Sequence, residues 1–184
     1  QAPSGLMPPA YPGSIPGKTV SSIIESNLFY VCQFHDYLLR SGDFEPARLL
    51  APVVESVLNR FERYENEDGA IEDCPFEYWI DHSPLDRRGV SLCFNGFYIM
   101  ALQDAAEAFA WLGIGKPQAL RRRAERVRSF LRKRLWSARD GLFVDSIYRG
   151  RRSEIISEHS NAMALYCGVA NEQQIPSIVK MLRP

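Results

Sequence analysis

Apolar residues recur every three to four positions in six stretches of the chain, a period typical of amphipathic α-helices. In the first helix, Ile24, Leu28, Val31, His35 and Leu38 share one face. The six predicted helices run from about Val20 to Arg40, Glu45 to Tyr64, Arg88 to Leu112, Pro117 to Trp136, Glu158 to Val169, and Asn171 to the end.

Short connections join these helices in pairs. Ser41-Gly42-Asp43 separates the first two helices, and Gly113-Ile114-Gly115 separates the third from the fourth. Connections of this length predict antiparallel helical hairpins. No strict sequence repeat of the TPR or HEAT type is visible.

Two segments between the pairs break the helical period. Residues 65–86 carry the turn Asp68-Gly69 and two candidate short strands, Ala70–Asp73 and Phe76–Ile80, and a second turn, Asp140-Gly141, precedes a candidate strand at Leu142–Asp145. Strands and helices do not alternate, which disfavours a parallel-sheet fold. We predict an all-α fold with short β-hairpin insertions, corresponding to three helical hairpins, or about half, of an (α/α)6 toroid.

Residues 1–18 differ in composition from the rest of the chain. They hold five prolines and three glycines, which predicts an extended segment, with the partial toroid domain over residues 19–184. The chain starts at Gln1 and stops directly after a helical pattern, so we expect it to be a piece of a longer protein.

The 184 residues are 46% hydrophobic and have a formal net charge of zero. This composition excludes a disordered chain, and no apolar run is long enough to predict a transmembrane helix or a membrane partner. Zero net charge disfavours a nucleic-acid partner. The balance hides an asymmetry, because residues 1–115 carry a net charge of −9 and residues 116–184 a net charge of +9. We therefore expect the two halves to attract each other.

The cysteines and the motif content point to no bound group. Cys32, Cys74, Cys93 and Cys167 lack metal-ligand spacing and are predicted to be free thiols, mostly buried, although sequence leaves disulfides open. The chain contains no GxGxxG, P-loop, GxSxG or HExxH motif, so we predict neither a cofactor nor a metal site. The cellular compartment is not readable from the sequence.

The segment Glu72–His82 concentrates candidate chemistry, with four carboxylates, three aromatic rings and a histidine in eleven residues. Aromatic faces stack on sugar rings and carboxylates accept hydrogen bonds from hydroxyls, so the combination favours a carbohydrate ligand. Strand alternation places Glu77, Trp79 and Asp81 on one face. The alternative is a solvated hairpin with one or two aromatic rings in the core.

Two histidines and a basic helix have more ordinary interpretations. His35 lies on an apolar stripe and is predicted to be a core residue, whereas His159, beside Ser157, either belongs to a capping cluster or faces a cleft. The basic run of the fourth helix, Arg121 to Arg134, predicts a solvated outer face that complements the acidic half or a neighbouring segment.

Six short motifs, in order, resemble those of bacterial α-L-rhamnosidases, glycoside hydrolase family 78. They are Gly5-Leu6-Met7-Pro8 with Ile15-Pro16, Asp36-Tyr37 to Gly42-Asp43, Trp79-Ile80-Asp81-His82, Asn95 with Tyr98 and Ala101-Leu102, Trp136 to Asp145, and Ser157 to Leu165. The resemblance implies an (α/α)6 catalytic domain that hydrolyses terminal α-L-rhamnosides with inversion. It implies that Trp79, Asp81 and His82 contact the sugar, His82 standing where the family usually has Trp.

The same resemblance places both catalytic glutamates outside this chain, one in a motif upstream and one downstream. We therefore expect no catalytic residue here, no hydrolase activity from this piece alone, and apolar surfaces that pack on the remaining hairpins or drive self-association. The alternatives are a non-catalytic helical-hairpin binding module, or a toroid of another carbohydrate-active class, such as a polysaccharide lyase or a glucuronyl hydrolase.

Overall fold

A computed structural model describes residues 23–74 and 83–183. The described residues form six helices and five short strands, as the sequence predicts for an all-α fold with β insertions. The helices are α1 (Glu25–Ser41), α2 (Phe44–Glu62), α3 (Leu92–Leu112), α4 (Pro117–Leu135), α5 (Glu158–Tyr166) and α6 (Ile175–Leu182). The strands are β1 (Val90–Ser91), β2 (Trp136–Ser137), β3 (Leu142–Phe143), β4 (Ser146–Tyr148) and β5 (Arg151–Arg152).

The helices pair as three consecutive hairpins, α1–α2, α3–α4 and α5–α6, and α3 lies at the centre. It packs against α1, α2, α4 and α5. Most of the circumference of α3 is buried, as expected for a helix with several neighbours, while Gln103 and Glu107 in its second half are exposed. The other long helices bury one stripe each, which in α4 consists of Ala124, Val127, Leu131 and Leu135.

The two connections between hairpins meet in a small antiparallel sheet of order β1-β4-β5. Val90 pairs with Ile147, and Ile147 pairs in turn with Arg152. Gly89 precedes β1 with a φ of +61°, and a side chain there would overlap the Ile147 carbonyl oxygen. The sheet therefore ties the start of α3 to the connection that leads into α5.

The sheet also corrects the predicted start of the third helix. The apolar period predicts helix from Arg88, but Val90 and Ser91 pair with β4, so that α3 begins at Leu92. In the second helix, the apolar period places Leu50 on the same face as Val54, Val57 and Phe61 and so predicts it to be buried, but its side chain is exposed. The candidate strand Phe76–Ile80 lies outside the described residues.

Charge complementarity between the two halves is present in the structure. Arg123 of α4 bonds Glu65 at 3.0 Å and lies 3.5 Å from Glu62, and Arg126 contacts Glu65 at 3.2 Å. The prediction of a solvated basic face is wrong for Arg123 and Arg128, whose side chains are mostly buried. Of the described helices, none has the length and apolar character needed to cross a membrane.

Candidate functional site

One end of the molecule carries the connections between hairpins, described as residues 63–74, 83–91 and 136–157. We call it the insertion end. Antiparallel hairpins bring the first turns of α3 and α5 to this end. Two adjoining cavities open there, one of about 750 Å³ and one of about 240 Å³. Arg88 and Tyr148 line both of them, so these two side chains form the wall between the cavities.

A buried carboxylate, Asp145, links several segments of the insertion end through hydrogen bonds. Its Oδ1 accepts hydrogen bonds from the Ser157 backbone N–H at 3.1 Å and hydroxyl at 2.6 Å, and its Oδ2 accepts from the Asp86 N–H at 3.2 Å. Its carbonyl oxygen accepts from the Leu92 N–H at 2.8 Å. Ser157 in turn caps α5 by accepting from the Ser160 N–H. One aspartate therefore positions the starts of α3 and α5 and the Asp86 segment.

Two buried asparagines attach the connections between hairpins to α3 and α5. In α3, the Asn95 Oδ1 accepts from the Ile71 N–H at 2.7 Å, while its amide donates to the Ile71 carbonyl at 3.0 Å. In α5, Asn161 makes the same pair of bonds to Phe143, at 2.9 Å and 3.0 Å. Each side chain thus satisfies the main-chain groups of an insertion residue that would otherwise be buried without partners.

Another polar cluster joins Tyr98 of α3, Arg123 of α4 and Glu65 of the connection that follows α2. The Tyr98 hydroxyl donates to the Glu65 carboxylate at 2.6 Å, and the Arg123 guanidinium donates to both. Burial raises the pKa of Tyr98 well above its usual value. Tyr98 therefore remains a neutral hydrogen-bond donor, and the cluster anchors α4 to Glu65, which lies shortly after the end of α2.

The larger cavity has a basic rim. Asp86, at its floor, forms an ion pair with Arg88 at 2.8 Å, and hydrogen bonds from that guanidinium hold the pKa of Asp86 well below its usual range. Arg149, Arg151 and Arg152 of the β4–β5 hairpin line the same cavity. A ligand that enters it meets more positive than negative charge.

The predicted sugar-contacting residues, Trp79, Asp81 and His82, lie outside the described residues. The described neighbours on either side are both at the insertion end: Cys74 lines the smaller cavity, and the Ser83 hydroxyl lies 3.3 Å from Nδ1 of His159. His159 is exposed in the first turn of α5, with Ser157 as the helix cap.

The remaining predicted features lie away from the insertion end or in the core. His35 is buried as predicted: its ring stacks on Trp111 with centroids 5.0 Å apart, and its Nε2 lies 3.3 Å from a Glu107 oxygen. All four cysteines are free thiols, and Cys93 and Cys167 are buried. Within residues 23–74 and 83–183, no three His, Cys, Asp or Glu side chains group as metal ligands would.

Sequence reasoning gave no role to Asn95, Asp145 or Asn161, although it included them in motifs. A local signal was present. Asp68-Gly69-Ala70-Ile71-Glu72-Asp73 and Asp140-Gly141-Leu142-Phe143-Val144-Asp145 share Asp-Gly, an apolar residue two positions later and a final Asp. In both segments that apolar residue, Ile71 or Phe143, is the one bound by the buried asparagine.

Two solved structures share this arrangement of helices and insertions. The GH78 family rhamnosidase of Bacillus sp. GL1 matches 91% of this chain with a TM-score of 0.83 and 24% sequence identity. A rhamnosidase from Klebsiella oxytoca with rhamnose bound matches 97% with a TM-score of 0.78 and 19% identity. The chain has the fold of a rhamnosidase segment.

The fold expected from the motif resemblance is therefore confirmed. This chain spans only 18% of the Bacillus protein and 34% of the Klebsiella protein. No family model matches the sequence, and no curated protein matches it by sequence. At these identities the likeness concerns the fold, and the activity is a separate question.

Proposed function

We propose that this chain is part of the catalytic domain of a glycoside hydrolase that releases terminal α-L-rhamnose with inversion. The observation that carries the proposal is the agreement of two independent lines. Six motifs occur in the order found in α-L-rhamnosidases, and the fold matches a rhamnosidase over 91% of the chain.

The distribution of exposed apolar side chains supports the view that the three hairpins are about half of a six-hairpin toroid. Among the described residues, seven of the large exposed apolar side chains lie at or within the first hairpin, namely Ile23, Phe29, Tyr37, Leu39, Phe44, Leu49 and Leu50. Tyr166 and Ile175 are exposed on the third hairpin, but only Trp111 on the middle one. The outer hairpins thus have the apolar edges that further hairpins, or a second copy, would cover.

Trp79, Asp81 and His82 are the residues we propose to contact the sugar. An indole ring can stack on the apolar face of a pyranose, and a carboxylate and an imidazole can hydrogen-bond to its hydroxyls. The described residues that flank them lie at the insertion end, beside the cavities and the first turn of α5.

The chain by itself is proposed to be inactive, because the two glutamates that would act as general acid and general base are expected outside it. Inverting hydrolysis needs both carboxyl groups, one to protonate the leaving group and one to activate water. The interpretation as a non-catalytic module would also give an inactive chain, so the test must include the longer protein.

The test is hydrolysis of an aryl α-L-rhamnoside by the chain and by the product of the full reading frame that encodes it. We expect turnover from the longer protein only. In that protein, Trp79→Ala and Asp81→Asn should each lower kcat/KM by at least about tenfold, equivalent to about 1.4 kcal/mol. Gln118→Ala, at an exposed polar position of the middle hairpin, is the control.

The other outcomes identify the alternatives. Turnover by the 184-residue chain would show that it carries its own catalytic carboxylates. A longer protein that is inactive on rhamnosides but cleaves uronides would favour a lyase or a glucuronyl hydrolase. A full reading frame with no hydrolytic activity on any glycan would favour the binding module.

A further inference from the structure

We propose that the larger cavity at the insertion end binds the carboxylate of a uronic acid residue in the glycoside substrate. The proposal rests on the proposed function for the place of that residue in a substrate, and on the cavity itself for its chemistry. The cavity measures about 750 Å³, and four of the side chains that line it are Arg88, Arg149, Arg151 and Arg152.

Among the described residues, three of these arginines, Arg149, Arg151 and Arg152, have no carboxylate partner. Arg88 is neutralised by Asp86 at 2.8 Å, and Arg152 donates to the carbonyl oxygen of Arg134 at 2.7 Å. Within the part of the chain that the structure describes, no carboxylate lies within ion-pair distance of Arg149 or Arg151. Two exposed guanidinium groups at the mouth of one cavity favour an anionic ligand, since each can bind a carboxylate through two parallel hydrogen bonds.

The backbone at Arg149 shows that this side chain is placed at a cost. Arg149 and Gly150 form the turn between β4 and β5 with φ values of +50° and +75°. A turn with two positive φ values favours Asn-Gly, whereas an arginine at its first central position is strained. Strained residues of this kind are concentrated at functional sites. The turn holds the Arg149 guanidinium 5.0 Å from the centre of the Tyr148 ring.

The other groups in the cavity match a sugar better than a polyphosphate. The Tyr148 ring contacts the guanidinium groups of Arg88 and Arg149, 5.4 Å and 5.0 Å from its centre. The Ser153 hydroxyl and the Glu154 carboxylate can hydrogen-bond to sugar hydroxyls. Glu154, which has no arginine partner among the described residues, would repel the successive phosphates of a nucleic acid or polyphosphate. A uronic acid combines one carboxylate with several hydroxyls and therefore uses both kinds of group.

The test measures binding of trigalacturonate and of the neutral trisaccharide galactotriose to the 184-residue chain by calorimetry at low ionic strength. We expect trigalacturonate to bind at least tenfold more tightly, and this preference to fall as salt is added. The variant Arg149→Asn together with Arg151→Gln should abolish the preference. Arg121→Gln, which removes an exposed arginine near the start of α4, should leave it unchanged.

Arg149→Asn on its own separates binding from folding. Because asparagine suits the left-handed conformation, this variant should melt at an equal or higher temperature while binding trigalacturonate more weakly. Equal affinity for the two trisaccharides would overturn the proposal, as would binding that survives the double variant. If inorganic phosphate displaces trigalacturonate at equal concentration, the cavity is a general anion site and the proposal is also wrong.

Failure of this proposal can be distinguished from failure of the proposed function. If the longer protein hydrolyses a neutral aryl rhamnoside but the cavity shows no uronate preference, only the present inference fails. If the chain binds trigalacturonate but the longer protein does not release rhamnose, the assignment of the cavity as a uronate site is upheld and the rhamnosidase assignment fails.

Discussion

Asn95 in α3 and Asn161 in α5 make equivalent hydrogen bonds one hairpin apart. Each is fully buried, each bonds both main-chain groups of one insertion residue, and each also donates to the carbonyl of its own helix cap, Ser91 or Ser157, at 2.9 Å. The two insertions are therefore held by one device that is used twice. These bonds fix the position of each connection against α3 or α5 and thereby shape the insertion end.

Replacing either asparagine should destabilise the fold strongly. Asn95→Ala or Asn161→Ala leaves a buried N–H and a buried carbonyl without partners, which should lower the free energy of unfolding by about 3 kcal/mol. Thermal denaturation followed by circular dichroism should show a loss of roughly 10 °C. Asn59→Ala, at an exposed position of α2, should change the midpoint little. A near-native midpoint for Asn161→Ala would contradict this role.

Two arginines of α4 donate hydrogen bonds to the turn that follows α5. Arg132 donates to the carbonyls of Val169 at 2.6 Å and Gly168 at 2.9 Å, and Arg128 donates to that of Cys167 at 2.7 Å. These three carbonyls lie in the cap and turn that follow α5, so the arginine bonds hold that turn against α4. Arg132→Met should cost about 1–2 kcal/mol in urea unfolding. Lys133→Met, on the exposed side of the same helix, should cost far less. Equal losses of stability in the two variants would argue against a stabilising role for the Arg132 hydrogen bonds.

The buried thiols should resist alkylation. Burial raises the pKa of Cys93 to about 12 and that of Cys167 to about 11. Since only the thiolate reacts, and its fraction at pH 8 is on the order of one in a thousand or less, iodoacetamide should leave both unmodified in the folded chain. Peptide mass spectrometry should find all four cysteines labelled after unfolding in guanidinium. Rapid native labelling of Cys93 would show that this part of the core opens.

The isolated chain should self-associate through its open apolar edges. Light scattering on a concentration series should show a rising mass for the wild-type chain. Leu49→Glu, at a leucine that is 77% exposed on α2, should shift the chain toward monomer because it places a charge within the apolar surface. Gln118→Glu adds the same charge to the middle hairpin and should not have this effect. A wild-type chain that stays monomeric at high concentration would contradict the expectation.

The helices could be predicted from sequence because their apolar faces repeat with the helical period. Val31 and Leu131 are buried where that period places them. The start of α3 could not, because Val90 and Ser91 suit either a helix or a strand, and only pairing with Ile147 and Ser146 decides between them.

The candidate site was less accessible to sequence reasoning, since its polar contacts join residues far apart in the chain. Asp145 bonds Asp86 and Ser157, and neither contact leaves a local pattern. The charge asymmetry predicted that the halves attract, but not that Glu65 receives both Arg123 and Arg126. The sugar-contacting roles of Trp79, Asp81 and His82 remain predictions.

Time-resolved proton NMR of aryl α-L-rhamnoside hydrolysis by the full reading-frame product tests the central claim most directly. It reports both the release of rhamnose and the configuration of the sugar that forms first. The account predicts that rhamnose is released and that the β anomer appears first, because an inverting enzyme places water on the face opposite the leaving group. Absence of rhamnose, or initial formation of the α anomer, would contradict it.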